Sequence, residues 1–350
     1  MFSTKSGRRY FAGIKVRRKT GISSENVFIK KSFLEKHLER FGIFFTPTIS
    51  YIGDSDNRIR VHVVSFSSRN DYIVVTRPLS FSINDVFSVI DFLRKEHEVP
   101  VIVSIVADRL SRYKELIKNF HDNVDGIEID LGLFYTLYGY KRGFESYAID
   151  IVEELVSYSP VPIIAKITPN MPMSVDFLEA IEDTGLGGFV FSPHPIYSVG
   201  NEIFRIHSVQ LSTIYSYVWA GIVVSKVKIS TAFISDTNIL EDINTSIAGI
   251  FDLILFDTYL LFEELNEEDV VKKGYEFPLK WRKIPTNLRP ALIPGSESQK
   301  CINICPYNAF NLNEIDEKTL IIANEDCDRC GLCITLCDKK ITLATELLPE

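Results

Sequence analysis

The first 300 residues contain no cysteine, and the whole 350-residue chain contains six. No segment reaches the ~18 consecutive apolar residues that span a bilayer. The nearest, FDLILFDTYLLF at 251–262, is interrupted by two aspartates. The N-terminal stretch MFSTKSGRRYFAG has no apolar core followed by a cleavage site, so no signal peptide is expected. A surplus of basic charge is also missing. The net charge is −8 and the lysines and arginines are scattered, which argues against a nucleic-acid partner. The short basic run around KVRRK reads as a solvated hairpin. A cytoplasmic protein without membrane insertion is the resulting expectation, and clustered thiols in that compartment read as metal ligands before disulfides.

What is present is a rhythm. Up to about residue 285, short apolar runs alternate with amphipathic stretches of ten to fifteen residues. The runs are GIFFTPTIS (42–50), DYIVVT (71–76), VPVIVSIV (99–106), VDGIEIDL (124–131), VPIIAKIT (161–168), GGFVFS (187–192), KVKISTAF (226–233) and FDLILF (251–256). Continuous apolarity suits strands covered by helices on both faces of a parallel sheet. Helical patterns lie between them, including SVDFLEAIEDTG (174–185), where Ser174 is placed as an N-cap and Gly185 as the stop. Eight strand–helix units predict an α/β fold, a closed (β/α)8 TIM barrel over residues 1–277, with an open doubly wound sheet as the alternative. A proline-rich linker at 278–298 follows, and then a small α+β module at 299–350 that holds every cysteine.

The module carries its own chemistry. Cys327, Cys330, Cys333 and Cys337 form a complete C-x2-C-x2-C-x3-C run, which resembles that of bacterial-type ferredoxins. Upstream, Cys301 and Cys305-Pro306 occupy the last two positions of a second run, whose first two fall on Gly295 and Ser298. In two-cluster ferredoxins the fourth cysteine of each run ligates the cluster of the other. Applied here, Cys305, Cys327, Cys330 and Cys333 serve one [4Fe–4S] cluster, while Cys301 and Cys337 are left facing each other and could form a disulfide. A four-cysteine zinc ribbon or a full disulfide framework are the alternatives, but three cysteines at successive x2 spacing suit the corner of a cubane better.

The barrel resembles the dihydroorotate dehydrogenase family, in the arrangement of dihydropyrimidine dehydrogenases, where such a barrel precedes a ferredoxin module. FAGIKV (11–16), TPTIS (46–50), VPVIVSI (99–105), DGIEIDLG (125–132) and AKITPN (165–170) carry the likeness, in order. It implies FMN and an oxidoreductase. The flavin and substrate positions depart from that pattern, however. The family's phosphate-binding glycines fall on Ala232-Phe233 and Asp257-Thr258, a substrate lysine on Pro47, an asparagine on Asp130 and the general base on Leu133. Only Lys166 remains as a flavin contact, and its alternative is a salt bridge to Glu128 or Asp130. His194, at a strand end, reads as solvated or structural rather than catalytic. Three functions follow as expectations. The first is an electron-transfer protein or oxidoreductase subunit, serving a redox partner such as a flavoprotein or another subunit. The second is an active FMN oxidoreductase, and the third an interaction scaffold with a structural cluster.

Overall fold

The structure is a computed structural model. It describes residues 10–345 except 52–60, 69–70, 140–142, 172–173, 200–201, 237–248, 258–287, 294–300, 303, 311–320, 329, 331 and 338–340. Thr258, Gly295 and Ser298 lie outside the described residues.

Eight parallel strands close on themselves: β1 (Thr20–Ile22), β2 (Ile43–Phe45), β3 (Val101–Val106), β4 (Gly126–Asp130), β5 (Ile163–Ile167), β6 (Gly188–Phe191), β7 (Ser230–Ser235) and β8 (Leu253–Phe256). The ring shuts where β8 pairs with β1, with Phe256 opposite Ile22. Both faces of these strands are dry, as continuous apolar runs require. One face fills the barrel interior with Ile43, Phe45, Ile102, Ile164, Val190, Ala232, Ile234, Leu253 and Leu255. The other packs on the helices; in Leu110–Phe120 the buried residues Tyr113, Leu116, Ile117 and Phe120 follow the 3.6-residue period. Ser174 caps Val175–Glu182 through a hydrogen bond from the Phe177 N–H, and Gly185 takes φ +89° just beyond its end.

Seven of the eight apolar runs read as barrel strands are barrel strands. The eighth, Asp71–Thr76, is not. It joins a separate antiparallel sheet in the order Ile196–Val199, Glu202–Ser208, Asp71–Thr76, Val61–Ser68, built from the excursions after β2 and β6. The strand the pattern misses is β1, only three residues long and preceded by KVRRK. The basic run itself extends a hairpin, Tyr10–Phe11 with Ile14–Lys15, as its pattern suggested. That hairpin is not simply solvated: Phe11, Ala12 and Val16 are buried in the barrel's inner core.

Strand β2 continues as Ile49–Ser50 along β3, with a bulge between. Phe45 faces Ile102 and Ile49 faces Ile105, four steps against three. Pro47 sits in that bulge, where a residue without an N–H costs the ladder nothing.

The cysteine module is built on a three-stranded antiparallel sheet. β9 (Leu288–Leu292) is its central strand, between β10 (Ile321–Ile322) and β11 (Ile341–Thr345). Thus five residues of the span read as a linker are structural strand. The module is not a loose appendage either, because its apolar residues belong to the same buried core as the strand–helix layer of the barrel. It docks on the first barrel helix, α1 (Lys31–His37), and the loop before it. The Tyr307 ring meets Phe28 at 6.2 Å and Phe33 at 6.4 Å. Lys30 Nζ donates to the carbonyls of Glu325 and Asp326 at 3.0 and 2.5 Å. Among the described residues, no helix is long and apolar enough to cross a membrane.

Candidate functional site

Barrel chemistry sits at the C-terminal ends of the strands, because the βα loops converge there. In this chain that face holds a buried charge network. Glu25 follows β1, Glu128 and Asp130 end β4, Lys166 lies on β5, His194 follows β6, Asp236 follows β7 and Asp257 follows β8. Arg205 and His207 come from the antiparallel sheet above, two residues apart on one strand and so on one face of it. All nine are buried, with Lys166 at 0% and Arg205 at 1% exposure.

Lys166 Nζ lies 2.7 Å from Asp130 Oδ2 and 3.3 Å from Glu128 Oε1. It also donates to Ser24 Oγ at 2.7 Å. Arg205 bridges Asp130 at 2.9 Å and Glu25 at 3.1 Å. His194 is held on both ring nitrogens, Nδ1 by Glu25 (2.5 Å) and Nε2 by Asp236 (2.7 Å). His207 pairs Nδ1 with Asp257 and Nε2 with Thr76 Oγ1, each at 2.7 Å.

Burial by itself would neutralise such groups, so the partners decide which keep charge. Burial would raise the Glu25 carboxyl, but the Arg205 guanidinium and the His194 imidazolium hold it well below the usual range. Burial is likewise overcome at Asp130 by Lys166 and Arg205, and at Asp236 by His194. At Glu128 burial wins over Lys166, and at Asp257 burial is reinforced by the negative Asp236 beside it, so both are pushed up. For His194, burial is outweighed by three carboxylates (Asp236, Glu25 and Asp257), which push it well above its ordinary value. His207, desolvated and next to His194, is pushed down to about 3. Glu25, Asp130 and Asp236 are thus held toward the charged form, and Glu128, Asp257 and His207 toward the neutral one.

Lys166 is therefore the ion-pair partner of Asp130 and Glu128 that the sequence offered as the alternative to a flavin contact. His194 is not solvated. It is the most heavily paired histidine of the network, and the carboxylates around it could not be read from its own position. Leu133 is buried, and its backbone N–H is used by Asp130 Oδ1 at 2.9 Å. Phe233 needs correcting as well. It lies in mid-strand and packs outward on Phe251, with ring centroids 5.2 Å apart, so it fills the helix layer and not a phosphate cradle. Glu25, Arg205, His207 and Asp236 were not singled out in the sequence. A usable signal existed for Asp236 and Asp257, since FISD and LILFD each end an apolar run on an aspartate.

The described residues of this mouth do not fit FMN. The side chains that would meet a flavin ring or its phosphate are engaged with one another: Lys166, Asp130, Glu128, His194 and Asp257 are all at 0% exposure. A planar tricycle would have to displace Arg205 and His207 and leave buried carboxylates unpaired. Purified protein is accordingly expected to show no flavin absorption and to emerge from gel filtration with added FMN without retaining it. Stoichiometric retention would overturn the closed-mouth reading.

The second constellation is in the module. Cys301 and Cys337, 36 positions apart, are joined as a disulfide with Cα atoms 5.9 Å apart. The other four cysteines carry free thiols and line one cavity with Pro290, Pro306, Tyr307, Ala309, Phe310, Asp328 and Leu332. Burial pushes the Cys305, Cys330 and Cys333 thiols up; the Asp328 carboxylate adds to the shift at Cys330 and Cys305, and neighbouring sulfurs add to it at Cys330 and Cys333. Backbone N–H groups work the other way. Those of Tyr307 and Ala309 point at Cys305, that of Leu332 at Cys330 and that of Ile334 at Cys333. Alkylation of denatured protein before and after reduction is expected to yield a Cys301–Cys337 cross-linked peptide and four other cysteines as free thiols. Six free thiols would refute the bond.

No family model matches the chain, and no curated protein does. Among solved structures, a variant of NCR from Zymomonas mobilis aligns with a TM-score of 0.44 at 10% identity, over 72% of this chain and 85% of that one. TcOYE with pHBA aligns with a TM-score of 0.42 at 8% identity, over 74% and 89%. N-acetylneuraminate lyase from Mycoplasma synoviae aligns with a TM-score of 0.37 at 14% identity, and the match spans 55% of each chain. Likenesses this weak carry no argument; the barrel rests on its own strand pairing.

Proposed function

We propose that the protein is a one-cluster iron–sulfur electron carrier, or the electron-carrying subunit of a larger oxidoreductase. On this reading Cys305, Cys327, Cys330 and Cys333 hold a [4Fe–4S] cluster, and residues 299–350 together with the strand Leu288–Leu292 form the iron–sulfur domain. The barrel serves as a docking body for a redox partner, a flavoprotein or another oxidoreductase subunit. The observation that carries the reading is the division of the cysteines. Two are bonded to each other, while four keep free thiols around one cavity, three of them met by backbone donors. Hydrogen bonds to the sulfurs are among the features that set a cluster's potential.

When bound, the group supplies one-electron transfer. The chain's own residues give it a pocket walled by Tyr307, Phe310 and Leu332, with Asp328 on its lining, and donors that stabilise thiolate over thiol. The closed barrel mouth weighs against the flavoenzyme reading, since the polar groups at the described strand ends are buried and paired with one another. Anaerobically prepared protein is expected to contain about four irons and four sulfides per chain, the content of one cubane. Its broad visible shoulder should bleach with dithionite. One zinc per chain in place of the iron would overturn the proposal, and a cluster that resists reduction would favour the scaffold reading.

A further inference from the structure

We propose that Glu25, His194, His207 and Asp257 form a site for one divalent transition-metal ion of the zinc class, distinct from the cysteine centre. Their ligand atoms all lie within 4.8 Å of one another, and all four residues are buried. They come from separate parts of the fold. Glu25 follows β1, His194 follows β6, Asp257 follows β8 and His207 belongs to the overlying sheet. An ion here would therefore tie that sheet to the barrel at three points of its rim.

The orientation of the two imidazoles is the main argument. His194 turns Nδ1 toward Glu25 Oε2 at 2.5 Å and Asp257 Oδ2 at 3.5 Å, and fastens Nε2 to Asp236 at 2.7 Å. His207 turns Nδ1 toward Asp257 Oδ2 and fastens Nε2 to Thr76 Oγ1. Both rings thus present Nδ1 to a common centre while the far nitrogen is anchored outside it. Metal-bound histidines are held in this way, with the second nitrogen donating to a carboxylate or another oxygen.

Charge points the same way. The network contains five carboxylates, on Glu25, Glu128, Asp130, Asp236 and Asp257, against two permanent cations, Lys166 and Arg205. A divalent ion supplies two of the three missing positive charges. Two imidazole nitrogens with two carboxylate oxygens suit zinc and its neighbours better than calcium or magnesium, which favour oxygen alone. Four buried protein ligands describe a closed, structural site.

Cobalt(II) reports such a site by its visible d–d bands, and its ligands by the absence of thiolate charge transfer. Wild-type protein with its cysteine centre intact is expected to take up one cobalt per chain with tetrahedral bands and no added thiolate charge transfer, and zinc should displace it. Asp257→Asn keeps the shape of the residue but removes an anionic ligand. It should stay folded and bind cobalt at least about tenfold more weakly. Zinc should also raise the melting temperature of the wild type but not of the variant. If Asp257→Asn does not fold, His207→Gln takes its place in the comparison. Uptake only with thiolate charge transfer, no uptake at all, or equal affinity in wild type and variant would each overturn the proposal. The wild-type against Asp257→Asn difference in affinity and melting temperature reads this site and not the cysteine centre, which both proteins share.

Discussion

Replacing Cys305 with alanine is expected to abolish the proposed iron–sulfur centre as completely as replacing Cys330, although Cys305 stands 22 positions before the nearest other proposed ligand, Cys327. The reason is crossed ligation. A cubane takes four thiolates, and the compact run offers Cys327, Cys330 and Cys333, while its Cys337 is bonded to Cys301. The fourth ligand therefore comes from the other half-run, where Cys305 lines the same cavity. Cys301→Ala and Cys337→Ala should leave iron at about four per chain and lower stability instead. Closing a loop of this length contributes roughly 3–4 kcal/mol in the chain-entropy model. Iron and sulfide content, the visible spectrum and a denaturant midpoint on the four variants check this. An intact cluster in Cys305→Ala would remove the crossed assignment, and loss of iron in Cys337→Ala would point to the uncrossed run.

How far the sequence could be read depends on where local pattern reflects local environment. Strands β3 to β8 announce themselves because residues such as Val101, Ile127 and Phe189 are buried, and apolarity is continuous along the run. β1 escapes notice because Thr20-Gly21-Ile22 is too short to show a pattern. Asp71–Thr76 misleads because a roof strand that buries Val74, Val75 and Thr76 is as apolar as a barrel strand. β9 hides in a proline-rich span, since Pro290 is the only proline within Leu288–Leu292 and the other prolines there dominate the composition. The cysteine partition, Cys301 bonded to Cys337 and the other four around one cavity, was legible through the likeness of the two runs to bacterial-type ferredoxins, whose crossed pattern it follows. The charge network was only half legible. Lys166, Asp130 and Glu128 stand in motif positions, but Arg205 and His207 arrive from the excursion after β6. What unites them with Glu25 is tertiary placement, which no spacing encodes.

Lys166→Met is expected to destabilise the fold by about 3–5 kcal/mol, the cost of leaving a buried partner charge uncompensated. Methionine fills much of the lysine stem's volume, so the loss is electrostatic more than steric. Without Nζ the buried Asp130 carboxylate loses its 2.7 Å partner, and among the described residues the cation left to it is Arg205, which it shares with Glu25. Adding Asp130→Asn to the variant should recover a substantial part of the loss. The substitution removes the stranded charge, while the new amide's oxygen can still accept the Leu133 N–H that the carboxylate accepts now. Non-additivity of this kind is expected of residues in one network. Chemical denaturation of the wild type, both single variants and the double variant gives the four values required. A Lys166→Met cost below about 1 kcal/mol, with no coupling to Asp130, would contradict the structural role. It would return this lysine to the alternative the sequence also allowed, a cation held ready for a ligand at the barrel mouth.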